Sequence, residues 1–233
     1  MSKAVVLLSG GMDSVTALAL AAKENEEVYA LSFDYGQRHS KELACARWQA
    51  EYFAVKDHVL LELDMRPISG SSLLDKAIAI PDEEADCIPN TVVPGRNMIF
   101  LSFAAAYAET KKAEKIYLGV SQLDYSGYVD CRESFVRAME KAINEGITWC
   151  AEGQGMIKVI APFMHMSKVD ELKIGHELGV DYSKTWTCYK GDEQACGECP
   201  SCRLRLKAFK EVGLIDPIIY KKRFANVKHN QNI

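Results

Sequence analysis

The chain has 233 residues, of which 48% are hydrophobic and 26% are charged. This balance excludes an intrinsically disordered chain, and the length suits one domain or one domain with an appendage. Lys plus Arg total 28 and Asp plus Glu total 32, so the formal net charge is −4. Because nucleic-acid binders gain affinity from a basic surplus, this charge speaks against direct binding of nucleic acid.

Hydropathy and cysteine usage indicate where the chain resides. No apolar run approaches the roughly 18 residues that a membrane span needs, so no membrane contact is expected. The apolar N-terminal run is interrupted by glycines before any signal-peptide cleavage site, which favours a buried first strand. Four of the eight cysteines cluster between Cys188 and Cys202. This clustering favours a metal site in a reducing compartment, and we expect a cytoplasmic protein.

Strand-like and helix-like segments alternate along the chain. Five short apolar runs are predicted to be strands, at residues 4–8, 27–33, 57–63, 115–120 and 158–162. Stretches with helical spacing follow them, at residues 14–23, 38–55, 96–112, 133–149, 167–178 and 204–212. This order predicts an α/β fold in which crossover helices connect the strands of a doubly wound parallel sheet.

The segment SGGMDS, at residues 9–14, lies between the first strand and the first helix. Glycines at such a turn allow backbone N–H groups to approach an oxyanion, and the helix start adds partial positive charge. Ser9 and Ser14 add hydroxyl groups, and Asp13 is placed to approach a phosphate-bound Mg²⁺. The alternative is an ordinary tight turn with Asp13 as the N-cap of the helix. The segment matches neither a Walker A loop nor a dinucleotide fingerprint.

The cysteine cluster has the spacing C-x7-C-x2-C-x2-C. Four thiolates in so short a window match a closed tetrahedral Zn²⁺ site with a structural role. An iron–sulfur cluster or a redox CxxC pair is the alternative. The predicted ligands are Cys188, Cys196, Cys199 and Cys202.

A polar loop with the sequence DYSGYVDCR follows the fourth predicted strand. The carboxyl ends of parallel strands are where open α/β sheets bind ligands. Tyr125 and Tyr128 could stack on a flat heterocycle, Asp124 and Asp130 could accept its N–H groups, and Arg132 could meet a carboxylate or phosphate. The alternative is a solvated loop with Asp130 as a helix N-cap.

Two shorter stretches, FDYGQRH at residues 33–39 and PGRN at residues 94–97, lie at a strand end and a helix start. Each could be only a turn and a cap. Arg96, however, is mismatched to the positive end of the helix dipole by roughly 0.3–1 kcal/mol. This mismatch favours a negative ligand nearby.

SGGMDS after a first strand resembles the signature of the PP-loop ATP pyrophosphatases, which share the adenine nucleotide α hydrolase-like fold and adenylate a carbonyl or carboxylate oxygen. Together with FDYGQRH, PGRN, DYSGYVDCR and the cysteine cluster, it resembles the 7-cyano-7-deazaguanine synthase family over residues 3–212. The resemblance implies that 7-carboxy-7-deazaguanine, ATP with Mg²⁺, and ammonia yield the nitrile through an adenylated acid, an amide and a second adenylation. It also implies a zinc-containing homodimer. In that family the loop reads DYSGYPDCR, with Val129 here replacing the proline.

The resemblance and the chemistry together give a set of predicted site residues. ATP contacts are predicted at Leu8, Ser9, Gly10, Gly11, Met12, Asp13, Ser14, Val15, Thr16, Ala17, Leu18, Phe33 and Tyr35. Substrate contacts are predicted at Arg38, Asn97, Asp124, Tyr125, Tyr128, Asp130 and Arg132. Catalytic roles are predicted for Ser9, Asp13, Ser14, Arg96 and Lys184.

Residues 1–182 are expected to form the PP-loop nucleotide-binding domain, with residues 183–233 as a C-terminal zinc-binding segment packed on it. Two other classes of protein remain as alternatives. A PP-loop tRNA-thiolating enzyme would also adenylate its substrate, but it would need a basic surface for tRNA. A non-enzymatic zinc-ribbon module would leave SGGMDS and the long α/β core without a purpose.

Overall fold

The computed structural model describes residues 2–38, 41–68, 70–80, 88–121, 127–190 and 193–221. A five-stranded sheet with the order β3-β2-β1-β4-β5 forms its centre. All four neighbouring pairs of strands are parallel, which confirms the predicted doubly wound α/β fold. The strands are β1 (Lys3–Leu7), β2 (Glu27–Asp34), β3 (Asp57–Glu62), β4 (Lys115–Tyr117) and β5 (Lys158–Ile160).

Helices cover both faces of this sheet. One apolar core lies against the helices α1 (Met12–Glu24), α2 (Lys41–Tyr52), α6 (Lys168–Glu177) and α7 (Pro200–Val212). The core of the other face lies against α3 (Arg96–Lys111), α4 (Glu133–Gly146) and α5 (Thr148–Ala151). None of the described helices combines the length and the apolar character that a membrane crossing requires.

Strand β1 explains why the sequence reads as a continuous apolar run rather than an alternating one. Val5 and Leu7 enter the core on the α3 side, whereas Ala4 and Val6 enter the core on the α1 side. All four side chains are buried. A parallel sheet with both faces covered requires apolar residues at every position of its central strand.

The strand order places a topological switch point between β1 and β4. The chain leaves β1 through α1 toward β2 on one side, and it returns through α3 to pair β4 with the other side of β1. Crossovers that diverge in this way open a crevice at the carboxyl ends of the two strands. The SGGMDS loop lies at this crevice.

Two predicted elements differ from the observed ones. The single helix predicted over residues 133–149 is wrong, because Ile147 has extended backbone (φ −90°, ψ 125°) and separates α4 from α5. Gly146 and two β-branched residues at this point disfavour a continuous helix. The fourth strand ends at Tyr117 rather than at residue 120. The chain leaves the sheet there to approach the SGGMDS loop.

The C-terminal segment is fixed by a buried ion pair. Arg205 of α7 is 1% exposed and binds Asp216 through two hydrogen bonds, from Nε to Oδ2 (2.7 Å) and from Nη2 to Oδ1 (2.9 Å). Its Nη1 donates to Thr185 Oγ1 (2.7 Å) and its Nη2 also donates to the carbonyl oxygen of Tyr182 (3.0 Å). The guanidinium group therefore connects α7, the chain after it, and the residues just before the cysteine cluster.

Candidate active site

A cavity of about 200 Å³ lies at the carboxyl edge of the sheet, above the switch point. Its walls come from the SGGMDS loop after β1, the end of β2, the first turns of α2 and α3, and the chain beyond β4. The residues that lead into the cysteine cluster form a further wall. The cavity is thus built from segments that lie far apart in the sequence.

The SGGMDS loop presents converging backbone N–H groups. The N–H groups of Ser9 and Gly10 donate to Ser14 Oγ at 3.1 and 3.2 Å. The N–H of Gly11 donates to Ser9 Oγ at 3.2 Å. Successive N–H groups that point into one concavity form an anion-binding nest, in which a phosphate oxygen can take the place of a hydroxyl oxygen.

Gly10 is required by both backbone conformation and space. Its φ of +89° lies in the left-handed region, and a Cβ there would stand 2.0 Å from the carbonyl oxygen of Glu42. Gly119 is similarly constrained, because its Cβ would stand 2.7 Å from the backbone of Asp13. Helix α2 and the chain after β4 therefore press directly on the two sides of the loop.

Gly10→Ala is expected to lower the free energy of unfolding by about 2–5 kcal/mol, since the left-handed conformation and the overpacking both add strain. Gly153→Ala is the matched control. Gly153 also has a positive φ (+71°), but nothing lies within 4 Å of its Cβ position. The control should lose only about 1–2 kcal/mol. Equal losses in urea unfolding of the two variants would show that α2 does not pack on the loop.

Asp13 is held by a buried lysine that was not predicted from the sequence. Lys168 Nζ donates to Asp13 Oδ1 at 2.6 Å and to Glu171 Oε2 at 2.9 Å. The side chains of Lys168 and Glu171 are only 4% and 1% exposed. Burial raises the pKa of Glu171 well above its ordinary value, and the nearby Asp13 raises it further. The loop thus carries a fixed carboxylate that faces the cavity with a cation behind it.

The first turn of α3 brings Arg96 and Asn97 into the cavity wall. Burial disfavours the charge on Arg96, but the neighbouring Tyr35 and Asp130 outweigh this effect and raise the pKa of the guanidinium group. The N–H of Asn97 donates to Asp130 Oδ2 (3.2 Å), and Asn97 Nδ2 donates to the carbonyl oxygen of Asp130 (3.0 Å). Asp130 of the protein itself is a negative group near Arg96, and the negative ligand predicted there stays a prediction.

The other predicted substrate contacts are dispersed. Tyr128 lines the cavity, whereas Asp130 lies behind the first turn of α3. Arg38 donates to the backbone carbonyl oxygens of Asp75 and Ile78 rather than lining the cavity. Arg132 is exposed at the start of α4. Asp124 and Tyr125 lie outside the described residues.

The predicted nucleotide and catalytic residues also separate into two groups. Phe33 and Tyr35 line the cavity together with loop residues Leu8, Ser9, Gly11, Met12, Asp13 and Ser14. The next turn of α1 is buried in the core instead, at Val15, Thr16, Ala17 and Leu18. Lys184 is exposed, with its Nζ 5.9 Å from the centroid of the Trp48 ring, and does not line the cavity. The roles assigned to these residues remain predictions.

Asp130→Ala is expected to lower the free energy of unfolding by about 1–3 kcal/mol, because it removes a buried charged acceptor from the first turn of α3. Val129→Ala is the matched control, since Val129 is a neighbouring side chain that is 52% exposed. Urea unfolding and the KM for the substrate acid should be measured together. An unchanged stability with a raised KM would show that Asp130 contacts substrate directly, as the sequence predicted.

The four clustered cysteines form a candidate metal centre. All four are buried, and their sulfur atoms lie within 4.8 Å of one another. The sulfurs of Cys196 and Cys202 are 3.9 Å apart. In a tetrahedral site with Zn–S distances of about 2.3 Å, sulfurs stand about 3.8 Å apart. Backbone N–H groups of Cys196 and Cys199 also donate to sulfur atoms of the cluster, which stabilises thiolates.

The cysteine cluster and the cavity are connected through the chain. The N–H of Trp186 donates to the carbonyl oxygen of Gly10 at 2.9 Å. Trp186, Thr187 and Tyr189 line the cavity on both sides of Cys188, and Ser201 lines it from the start of α7. A metal held by the four sulfurs would therefore fix one wall of the cavity.

The parallel sheet, the anion-binding loop at its switch point and the cavity above that loop define a PP-loop-type nucleotide-binding α/β protein. A structure of NMN synthetase from Francisella tularensis has a similar fold, with a TM-score of 0.51 and 14% identity over 92% of this chain and 78% of that one. The family model described as "Queuosine biosynthesis protein QueC" matches residues 3–213. The chain belongs to that family.

Curated relatives match along nearly the whole chain. The 7-cyano-7-deazaguanine synthase of Clostridium kluyveri is 57% identical, with 95% of this chain and 99% of that protein covered. The protein of the same name from Nostoc punctiforme is 48% identical, with 94% and 99% covered. That from Thermoplasma acidophilum is 49% identical, with 94% and 92% covered.

Proposed function

We propose that this chain converts 7-carboxy-7-deazaguanine to 7-cyano-7-deazaguanine with ATP and ammonia, as a step in making the precursor of queuosine. Membership of the family and the names of its relatives support this reaction. The observation that carries it is the cavity in which the N–H nest, the Asp13 carboxylate and the Arg96 guanidinium group converge. Such a site suits a triphosphate beside an acidic substrate.

The reaction needs activation because a carboxylate is a poor electrophile whose leaving group would be oxide. Transfer of AMP to the carboxylate oxygen supplies a good leaving group and releases pyrophosphate. The protein's own contribution is to align the carboxylate with the α-phosphate and to stabilise the charge that develops there. Ser9, Ser14 and the loop N–H groups would bind the phosphates, and Arg96 would meet the acid or the α-phosphate.

Magnesium fits the loop through Asp13. The Asp13 carboxylate lines the cavity, and its Oδ1 accepts a hydrogen bond from Lys168, so the carboxylate would bind the metal from a fixed position. When bound, Mg²⁺ would neutralise phosphate charge. Lys168 would hold Asp13 oriented toward the cavity, because its buried ammonium group lies 2.6 Å from Asp13 Oδ1.

We also infer that the cysteine cluster holds one structural Zn²⁺. The donor set and the sulfur spacing support zinc, since four thiolates leave no open position for a substrate. The metal would then orient the Trp186–Thr187 wall rather than take part in the reaction. We also propose that residues 1–182 form the nucleotide-binding domain and that the zinc-binding segment begins at residue 183.

The expected assembly is a cytoplasmic homodimer without nucleic-acid or membrane partners. The net charge of −4 speaks against a nucleic-acid partner, and the four clustered cysteines favour a reducing compartment. The homodimer is proposed from the resemblance to the family. Size-exclusion chromatography with light scattering tests the dimer, and a gel shift with bulk tRNA at moderate salt tests the absence of nucleic-acid binding.

The reaction itself is tested by incubating the purified chain with 7-carboxy-7-deazaguanine, ATP, Mg²⁺ and ammonium chloride. We expect the nitrile by mass spectrometry, with two AMP and two pyrophosphate released for each nitrile formed. Without ammonia, the first adenylation should still proceed. Release of ADP and phosphate, or no nitrile at all, would refute the proposal.

A further inference from the structure

Glu42 enters the cavity from the first turn of α2. Its carbonyl oxygen lies so close to the SGGMDS loop that no Cβ could be accommodated at Gly10. Among the described residues that line the cavity, Glu42 and Asp13 are the two carboxylates. They approach the loop from different elements, and only Asp13 of the two was predicted from the sequence.

The two carboxylates have different surroundings. Asp13 is paired with the ammonium group of Lys168. Glu42 instead accepts a hydrogen bond from the Gln37 side chain, with Arg96 of α3 and Asp34 at the end of β2 as its charged neighbours. Burial raises the pKa of Glu42 to about 7, although Arg96 and Gln37 act to lower it. This carboxyl group can therefore exchange a proton near neutral pH.

Other titratable groups facing the cavity are less suited to accept a proton. Burial raises the pKa of the Tyr35 hydroxyl, which also hydrogen-bonds Arg96, above its ordinary value. Burial and the neighbouring Asp130 raise the pKa of the Cys131 thiol to about 12. On its own helix, Glu42 has Cys45 as a nearby titratable group, and burial raises the pKa of that thiol as well.

The proposed reaction requires protons to leave nitrogen in both of its stages. In the first, the nitrogen lone pair of ammonia bonds to the acyl carbon, the bond from that carbon to the AMP oxygen breaks, and one proton leaves nitrogen. In the second, the amide oxygen bonds to the α-phosphorus of ATP and displaces pyrophosphate. AMP then leaves carbon while the nitrogen loses its two protons, and the nitrile results.

We propose that Glu42 is the general base that accepts these protons from nitrogen. This inference rests on the proposed function and names a catalytic residue within it. The carboxylate lies in the wall of the cavity next to the phosphate-binding loop, so it can reach a group attached to the α-phosphate. After each transfer it returns the proton to solvent. Ammonia is almost wholly protonated at neutral pH, so the same carboxylate can also deprotonate an entering ammonium ion.

The test compares Glu42→Gln with the matched control Glu51→Gln, which changes an exposed acid of the same helix. In Glu42→Gln, amide formation from ammonia should fall by about 10²–10⁴-fold, as expected for loss of a general base. AMP transfer to the acid should remain within a few-fold of the unchanged protein. Glu42→Asp, which keeps a carboxylate, should recover part of the rate.

Replacing ammonia with hydroxylamine distinguishes a general-base role of Glu42 from a structural role. It is far less basic than ammonia, so it is a free nucleophile at neutral pH and its addition product loses a proton easily. Glu42→Gln should therefore form the hydroxamate of the substrate at nearly the normal rate. At a fixed concentration of free ammonia, the rate of the unchanged protein should rise with pH through about 7, because only the ionised carboxylate accepts a proton. The variant should lack this rise.

Three outcomes would overturn the inference. Normal amide formation by Glu42→Gln would show that no proton passes through Glu42. Equal loss of hydroxamate and amide would indicate a structural role, and a raised KM for the acid with normal turnover would indicate recognition of the deazaguanine edge. Failure of the proposed function differs from all three, because the unchanged protein and Glu51→Gln would then form no nitrile.

Discussion

Cys199→Ser should release the bound metal and unfold the chain around the cysteine cluster. Cys199 is fully buried at the N-cap of α7, among the four converging sulfurs. Binding of structural zinc by small sites contributes on the order of 10–16 kcal/mol, and loss of one thiolate removes a large part of that free energy. Because Trp186 and Thr187 line the cavity beside Cys188, ATP binding should be lost with the metal.

Cys45→Ser is the matched control for this prediction. Cys45 packs against the same buried cluster without belonging to the four converging sulfurs. The measurements are metal content by inductively coupled plasma mass spectrometry, thermal unfolding, and ATP affinity by calorimetry. We expect one zinc per chain in the unchanged protein and in Cys45→Ser, and none in Cys199→Ser. Iron in the purified protein, or a Cys199→Ser variant with normal metal content and melting temperature, would contradict the prediction.

The architecture could be predicted from sequence because each strand is buried on both faces. A continuous apolar run such as residues 4–8, followed by a helical pattern, is the signal that such strands give. The strand order was not encoded in any local pattern. It depends on α3 crossing the opposite face of the sheet, and this packing brings β4 beside β1.

Within the site, the SGGMDS loop was predictable because residues that are adjacent in the sequence form the whole anion-binding turn. Lys168 was missed, although a signal existed, since it is a cation in the first turn of a helix that begins after the N-cap Ser167. The same mismatch with the helix dipole drew attention to Arg96. Glu42 gave no signal, because an acid in the first turn of a helix is ordinary. Its significance arises only when α2 packs on Gly10 and α3 brings Arg96 beside it.

Asp130 shows why the role of a polar loop residue could not be predicted from the sequence. A carboxylate in a polar loop can cap a helix, bind a substrate edge, or do both, and composition does not distinguish these roles. The sequence placed the competing cap on the helix that follows Asp130. In the structure, Asp130 instead accepts from the N–H of Asn97, at the start of the earlier helix α3. A contact between residues 33 positions apart could not be read from local spacing.

Asp13→Asn should reduce AMP formation by about 10²–10³-fold while leaving the fold intact. The substitution removes the anionic charge that would bind Mg²⁺ beside the N–H nest, and loss of one electrostatic group of this kind costs about 10²–10³ in turnover. The fold should tolerate it, because Lys168 keeps its bond to Glu171 at 2.9 Å. Loss of the Asp13 charge also removes one cause that raises the pKa of Glu171, which favours the Glu171 carboxylate. A buried cation that keeps an anionic partner does not incur the 3–5 kcal/mol or so that an unpaired buried charge costs.

Lys168→Met removes the cation that pairs with Asp13 and Glu171. It should lower the free energy of unfolding more than Asp13→Asn does. It leaves Asp13 and Glu171 close together without the ammonium group between them, so one carboxyl group must take up a proton and stability should fall as pH rises. Asp170→Asn is the matched control for both variants, since it changes a half-exposed acid of the same helix that pairs with Lys173 at 3.8 Å. AMP release should be followed by chromatography and stability by urea unfolding across pH. If Asp13→Asn released AMP at the normal rate, the role proposed for the Asp13 carboxylate would be wrong. If Lys168→Met were equally stable at high and low pH, Lys168 would not be what holds that carboxylate in place.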